Sequence, residues 1–599
     1  MIDLTALLRV PYVYVDELID YDISPDGRRL AFAWNRTGCW EIYELWFDGS
    51  QPCRQVSSGR GSKFSPKYNP DGNSIAHVVD FDGSEDYRLQ LITPEGGTVD
   101  LTPPGADTLQ PCYSWSPDGS QIAYISNRSG VFDTYLLDLK TRTERLVLAN
   151  GLMTYKVNWS PDGHWLAATA FTQDQDFGIF IVPAEGGQAF QVSASDWRLN
   201  AAYPCWSPDS AHLFFSAERG EYHDIGSIAL ASKEITWHTD GEGDKYKPAL
   251  SQDGQHLVYT QILGAQSWLG FKDLGAPAQV FKLASGRHES AKFTPDGRTI
   301  VFCFDNPAQP PDLWILSLHD LTCRQLTHSL PDDFPEGEFV IPEEIWYSGL
   351  DGHQVPALLY RPKQAQKPGP AVINIHGGPN WLYQFIWNPL MTHLASRGWV
   401  VLAPNYRGST GYGKAWQRAN RFEMGRVDSR DVAAGALFLA GQGLADPGRI
   451  AVTGRSHGGY LTMTCLTQFP DLWAAGSAVV PFLNWFTSHA ASRSDLQRWD
   501  IENMGDPQEN HDLWRERSPF FALDSILAPV QLICGANDPR CPAEESRAAR
   551  DRLVELGREV DFIIYPDEGH GYLNVENLID SETRRVAFLA RVLDNDRGG

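Results

Sequence analysis

The sequence predicts a multidomain chain: an N-terminal seven-bladed all-β propeller followed by a C-terminal α/β-hydrolase domain with a doubly wound, mostly parallel sheet. Three observations predict it. One short phrase recurs seven times before residue 300. Near-continuous apolar runs then alternate with helical stretches, and one of those runs ends in a Gly-x-Ser-x-Gly turn.

The phrase is Ser24-Pro25-Asp26-Gly27 and its echoes around Asp71, Asp118, Asp162, Asp209, Asp253 and Asp296, spaced 43–47 residues apart. Proline presets φ, the aspartate side chain caps the turn, and glycine takes the φ > 0 position. An apolar strand starts just after each copy, as at Leu30-Ala31-Phe32 and Ile122-Ala123-Tyr124. A repeat of about 40–50 residues rich in short strands is one four-stranded propeller blade. Seven blades over residues 20–325 follow, with the aspartates as turn formers and not metal ligands. Residues 1–19 precede the first blade and are expected to pack as a short segment on the hydrolase domain.

The repeat stops after Pro331-Asp332-Asp333, and residues 326–599 read as the hydrolase domain. Glu344 to Tyr347 and Val355 to Tyr360 flank Asp351-Gly352, a hairpin signal. The runs Ala371 to Ile375, Trp399 to Ala403, Ile450 to Val452 and Val530 to Ile533 suit strands buried on both faces. Between them, Asp431 to Leu439 and Glu544 to Leu556 have helical composition, the second stopped by Gly557.

Ile450 to Val452 leads into Gly454-Arg455-Ser456-His457-Gly458. A strand entering this turn is the sequence form of a nucleophile elbow, on which the partners follow in the order Ser, acid, His. Asp538 lies just past the run Val530 to Ile533, 82 residues after Ser456, and is the candidate acid. His570 lies past the strand Val560 to Tyr565 and is the candidate base. Asp567 and Glu568 are too near His570 in sequence to replace Asp538 easily. Ser456 would attack, His570 would shuttle the proton, and Asp538 would hold the imidazole. An oxyanion hole needs two donors. The N–H of His457 is one candidate; Gly378, in His376-Gly377-Gly378-Pro379 after an early strand, is favoured for the other, with Gly377 as its rival. His376 itself reads as structural.

The bulk numbers bound the rest. A formal net charge of −25 disfavours nucleic acid as a partner. No basic leader and no apolar run of about 18 residues is present, so neither export nor a membrane is expected. Nine scattered cysteines without Cys-x-x-Cys spacing fit buried thiols in a reducing compartment, which makes the cytoplasm the default address. Neither cofactor nor metal is expected; self-association into a homo-oligomer stays open.

Together, His376-Gly377-Gly378-Pro379, Asn405 to Gly413, Gly454 to Tyr460, Asn537-Asp538-Pro539-Arg540 and Gly569-His570, following the repeated propeller phrase, resemble the prolyl oligopeptidase family of serine peptidases, in particular its acylaminoacyl-peptidase-like branch. The resemblance covers essentially the whole chain. It implies an oligopeptidase whose propeller restricts access to short peptides, and an arginine two residues past the acid, here Arg540, that binds a substrate carbonyl. It also places the acyl or P1 pocket at Val480 to Phe486, with Phe482 and Trp485 as pocket walls or, equally, core. The dipeptidyl-peptidase branch anchors the substrate amine with paired glutamates on the propeller. Residues 20–325 hold no Glu-Glu pair, and Glu343-Glu344 falls in the linker beyond the blades. Dipeptidyl aminopeptidase action is thereby weakened, and a carboxylesterase or amidase acting on small molecules is the other alternative.

Overall fold

The computed structural model describes residues 1–102, 108–173, 176–193, 199–281, 283–363 and 368–594. Seven four-stranded antiparallel sheets occupy the stretch from Asp22 to Gln325. Each forms because its turn is chemically fixed. In the third blade Ser116 Oγ donates to Asp118 Oδ1 at 2.6 Å and Ser120 N donates to the same carboxylate at 3.0 Å. Gly119 sits at φ +71° and its N–H closes the turn on Ser116 O. The Ser116 hydroxyl and the Ser120 donors hold Asp118 below the usual carboxylate range, so its charge is committed to the turn. The same 2.6 Å bond recurs at Asp26, Asp162, Asp209 and Asp253.

The first strands of successive blades touch one another and so line the propeller axis, while fourth strands such as Thr98–Asp100 are exposed. The ring closes without a shared strand, since the first and seventh blades are each built from contiguous chain. Closure rests on packing instead. Tyr21, Phe32 and Trp34 share a core with Val301, Cys303 and Leu313, and Tyr21 Oη donates to Ser290 O and Val301 O.

The C-terminal half is one eight-stranded sheet. Its strands are β1 (Glu343–Ser348), β2 (Gln354–Tyr360), β3 (Gly369–Ile375), β4 (Val400–Pro404), β5 (Ala445–Arg455), β6 (Ala475–Val479), β7 (Val530–Gly535) and β8 (Val560–Tyr565). Their spatial order is 1-2-4-3-5-6-7-8. The pairings of β1 with β2 and of β2 with β4 are antiparallel and the remainder parallel. Glu343 and Glu344 therefore open the edge strand and are not linker. Glu344 accepts from Ala265 N in the propeller and from Tyr412 Oη.

Helices cover both sheet faces, among them α1 (Leu4–Arg9), α2 (Pro389–Ser396), α3 (Val427–Gly441), α4 (His457–Gln468) and α5 (Val575–Leu593). The N-terminal α1, capped by Asp3 on Ala6 N, lays Leu4 and Leu8 against α2 and α5. Among the described residues no helix is long and apolar enough to cross a membrane.

Three propeller histidines, His77, His238 and His288, are each pushed down to about 4, chiefly by burial. Below the unfolded value of about 6.5 the unfolded chain takes up protons that these rings refuse. Their contribution is present above that pH and is lost as the pH falls toward 4. We predict that the urea midpoint of propeller unfolding drops between pH 7 and 5, and that His288→Gln flattens this drop. An unchanged slope in the variant rejects the assignment.

Candidate active site

The elbow is built by contacts that only glycine tolerates. A Cβ on Gly454 would lie 2.5 Å from Gly458 O and 2.7 Å from Ile375 O, and one on Gly458 would run into Ile375 O. With both positions bare, β5 turns into α4 directly over the end of β3. Ser456 is left at φ +59°, ψ −123°, held by its N–H on Val479 O at 3.0 Å. Such strain in a non-glycine residue persists only where the surroundings over-determine it.

The three sequence-predicted triad residues come together. Ser456 Oγ is 3.0 Å from His570 Nε2, and His570 Nδ1 is 2.8 and 3.1 Å from the two oxygens of Asp538. The Asp538 carboxylate is buried just past β7 and also accepts from Arg540 N at 2.8 Å and Cys541 N at 2.9 Å. Burial opposes its charge, but the His570 ring and these two amides outweigh that and hold Asp538 below the usual carboxylate range. A carboxylate kept ionised on Nδ1 fixes that nitrogen as donor, which leaves Nε2 to accept the Ser456 proton. Glu568 is occupied elsewhere, accepting from Leu573 N, Asn574 N and Asn577 Nδ2. It shapes the His570 loop and leaves the acid position to Asp538.

His457 is the first residue of α4, where backbone N–H groups lack intrahelical acceptors. Its ring is buried, with Nε2 3.4 Å from Asp428 Oδ2. The glycine loop after β3 lies alongside: a Cβ on Gly377 would be 3.3 Å from Ser456 Cβ, whereas one on Gly378 would face Asn380 and Trp381. The peptide joining Gly377 to Gly378 thus starts within contact of the serine. His376 supports this loop. It stacks on Tyr406 at 4.3 Å, bonds Ser409 Oγ at 2.8 Å, and burial pushes it down to about 3. Arg407, the next residue, forks onto Asp431 and reaches Asp351.

The pocket residues divide. Trp485 is 1% exposed, packed among Tyr460, Trp499 and Trp514. It belongs to the hydrophobic core, which corrects its reading as a pocket wall, because no face of the indole is left for a ligand. Phe482 stands in front of it, half-buried and stacked on Tyr460 at 4.5 Å. Neither lines the large cavity of about 800 Å³ between propeller and sheet, which His570, Gly377 and Arg540 do line.

Arg540 points at the propeller. Its Nε bonds Glu85 Oε1 at 2.7 Å, and Glu85 is the main reason its charge is held more firmly than usual. Arg493 reaches the other oxygen of Glu85 at 3.7 Å. Glu85 was invisible to sequence reasoning. It lies 455 residues from Arg540, and its only local mark is the acidic turn Asp82-Gly83-Ser84-Glu85-Asp86. Among the described residues, one set of side chains has ligand atoms close enough for a metal: Asp538, Cys541 and His570, within 4.8 Å. Two of these already bond each other, and burial keeps the Cys541 thiol protonated.

Comparison with known proteins settles the class. Residues 383–596 match the prolyl oligopeptidase family and residues 85–329 the TolB beta propeller domain. Residues 383–596 of the chain are of the prolyl oligopeptidase family, and the chain is a serine-type peptidase. This peptidase is 26% identical to dipeptidyl aminopeptidase BIII of Pseudoxanthomonas mexicana, over 96% of this chain and 87% of that one. The same fold is seen in a puromycin-hydrolyzing peptidase of Mycobacterium tuberculosis (TM-score 0.87, 19% identity, covering 100% and 97% of the two chains). It is seen again in the acylaminoacyl peptidase of Pyrococcus horikoshii (TM-score 0.76, 18% identity, covering 100% and 98%).

Two outcomes follow from this geometry. Trp485→Ala is expected to cost about 3–5 kcal/mol of stability, as for other buried aromatics, with no change in acyl preference; altered preference at unchanged stability would return Trp485 to the pocket. Glu85→Ala releases Arg540 and is expected to lower kcat/KM on peptide anilides by up to about 10²-fold. If the two act as a pair, Arg540→Ala adds little in the Glu85→Ala background. Fully additive losses would mean they work separately.

Proposed function

We propose that this peptidase removes N-terminally blocked residues from short peptides through an acyl-enzyme. In this reading Ser456 attacks the scissile carbonyl as His570 Nε2 takes its proton, and Asp538 stabilises the imidazolium. The N–H groups of His457 and Gly378 receive the oxyanion, a term worth about 3–4 kcal/mol per donor. His570 then protonates the leaving amine, and water repeats the sequence on the ester. Arg540, set by Glu85, receives the carbonyl of the blocking group, and Phe482, outside the main cavity but beside His457 and Tyr460, borders the P1 side chain.

One observation carries the preference for a blocked N-terminus. Each of the six carboxylates lining the cavity already has a partner. Asp16 accepts from Leu18 N and Ile19 N, and Asp80 from Gly83 N and Glu85 N. Glu85 pairs with Arg540, Asp495 with Arg493, Glu502 with Arg498 and Glu582 with Arg585. A substrate ammonium would have to share one of these carboxylates with its present partner, while an acyl group finds a cavity walled by Tyr14, Trp40, Phe64, Tyr87 and Trp381. Dipeptidyl aminopeptidase action, the activity in the name of the Pseudoxanthomonas relative, would require Glu85 to take the amine beside Arg540. Nine unpaired cysteines support a cytoplasmic address, and the chain's acidity supports substrates other than nucleic acid.

The test is kcat/KM for acetyl-amino-acid anilides, free-amine dipeptide anilides and aryl esters, each with Ser456→Ala and Asp538→Asn. Acetyl anilides should be preferred, with Asp538→Asn lowering kcat about 10⁴-fold and Ser456→Ala losing fluorophosphonate labelling. Preference for free-amine dipeptides, or turnover of esters alone, would overturn the reading.

A further inference from the structure

The stretch joining α1 to the first blade does more than connect. Residues 16–19 fold into a tight turn, with Asp16 N on Ile19 O at 2.9 Å and Asp16 Oδ1 taking both Leu18 N and Ile19 N at 2.7 Å. This turn sits on the propeller axis, because it is gripped by inner strands from opposite sides of the ring. Ser65 of the second blade donates to Leu18 O at 3.5 Å, and Tyr203 of the fifth donates to Glu17 Oε1 at 2.9 Å. Lys247 of the sixth donates to Asp16 O at 2.8 Å, and Lys292 of the seventh meets Asp20 at 2.8 Å.

The gripping residues are not ordinary strand residues. Ser65, Tyr203 and Lys247, with Ser290 in the seventh blade, all lie at positive φ, between +51° and +58°. Each falls where the inner strand slips register against its neighbour. A bulge re-aims a side chain at local conformational cost, and backbone strain of this kind collects at functional positions. Here it recurs in four blades: Ser65, Tyr203 and Lys247 hold the turn directly, and Ser290 accepts from Tyr21 and Lys247 beside it. Tyr14, Asp16 and Leu18 form part of the cavity wall. Glu17 is exposed and absent from that wall, so it looks out along the channel.

We propose that residues 12–20 are a built-in stopper that closes the propeller channel, so that substrates reach Ser456 from the seam between the domains. The stopper then limits how long a group can extend from the N-terminal side of the scissile bond. It is a specificity-determining element for the peptidase activity proposed above and rests on that reading.

The test compares kcat/KM for an acetyl-amino-acid anilide with that for the same anilide carrying a flexible eight-residue N-terminal extension. The wild type should discriminate at least tenfold against the extended substrate. Glu17→Gly combined with Asp20→Ala, which removes the stopper's anchors on Tyr203 and Lys292, should recover at least tenfold of that difference while the acetyl substrate changes less than threefold. Because the acetyl substrate is measured in each arm, failure of the peptidase reading and failure of the stopper are separable. A second arm holds if the double variant does not fold: Glu17→Cys, labelled with a 5 kDa polyethylene glycol maleimide, places a bulky chain in the channel. Retained activity on the acetyl substrate supports seam entry. Equal cleavage of both substrates by the wild type, an unchanged ratio in a folded double variant, or a tenfold loss on labelling overturns the proposal.

Discussion

The rest of the active region depends on the pressure of one propeller turn against the loops that carry the acid and the base. Gly83 packs so closely on Gly569 that neither position has room for a Cβ. Asn537 Nδ2 donates to Asp82 O at 2.9 Å, and Glu85 fastens Arg540. Asn537, Arg540 and Gly569 are near neighbours of Asp538 and His570, so the propeller seats both members of the relay at once. A broader seam braces this contact. Phe385 N meets Ala265 O, Gly264 N meets Gly411 O, and Trp387 N donates to Asp305. The propeller is therefore part of the catalytic framework as well as a cover, and a shift at this seam would move Arg540 before it moved Ser456.

Ser456 is held by an independent device. Its strained turn is fixed from below by Gly454 and Gly458 against Ile375 O, inside the sheet. The relay thus has two halves with different supports: the nucleophile belongs to the sheet alone, and the acid and base lie on loops shared with the propeller. Together the two supports set Ser456 Oγ 3.0 Å from His570 Nε2, and a preplaced contact of this kind lowers the reorganisation that proton transfer requires.

How far the sequence revealed this follows from the range of each interaction. The seven turns were legible because Ser, Pro, Asp and Gly act within four residues, as the 2.6 Å Ser116–Asp118 bond shows. The triad was legible because the elbow dictates chain order. Trp485 was not, because an aromatic in the Val480 to Phe486 segment looks the same whether it faces core or ligand; only its neighbours Trp499 and Trp514 decide it. Glu85 and the grip on residues 16–20 were hidden for another reason. Both join segments separated by tens to hundreds of residues, and no local periodicity records such a meeting. Even the positive φ at Tyr203 and Lys247 falls on residue types that do not advertise it. The edge-strand place of Glu344 was likewise masked by its charge, which the seam solvates with hydrogen bonds from Ala265 N and Tyr412 Oη.

Charge completes the picture. A chain with net charge −25 would be expected to draw cationic groups into any cleft, yet its main cavity is electrically settled. Glu85, Asp495, Glu502 and Glu582 are matched there by Arg540, Arg493, Arg498 and Arg585, while burial raises Asp16 and Asp80 above the usual carboxylate range in spite of their backbone N–H donors. The excess acidity lies elsewhere, including the exposed propeller turns where Asp118 and its equivalents keep low pKa values. Pairing inside a confined, weakly screened space strengthens each match and raises the cost of breaking it for a ligand. On the reading proposed above, the cavity would select by shape and hydrogen bonding more than by charge, which would favour a neutral, blocked peptide end over a free ammonium.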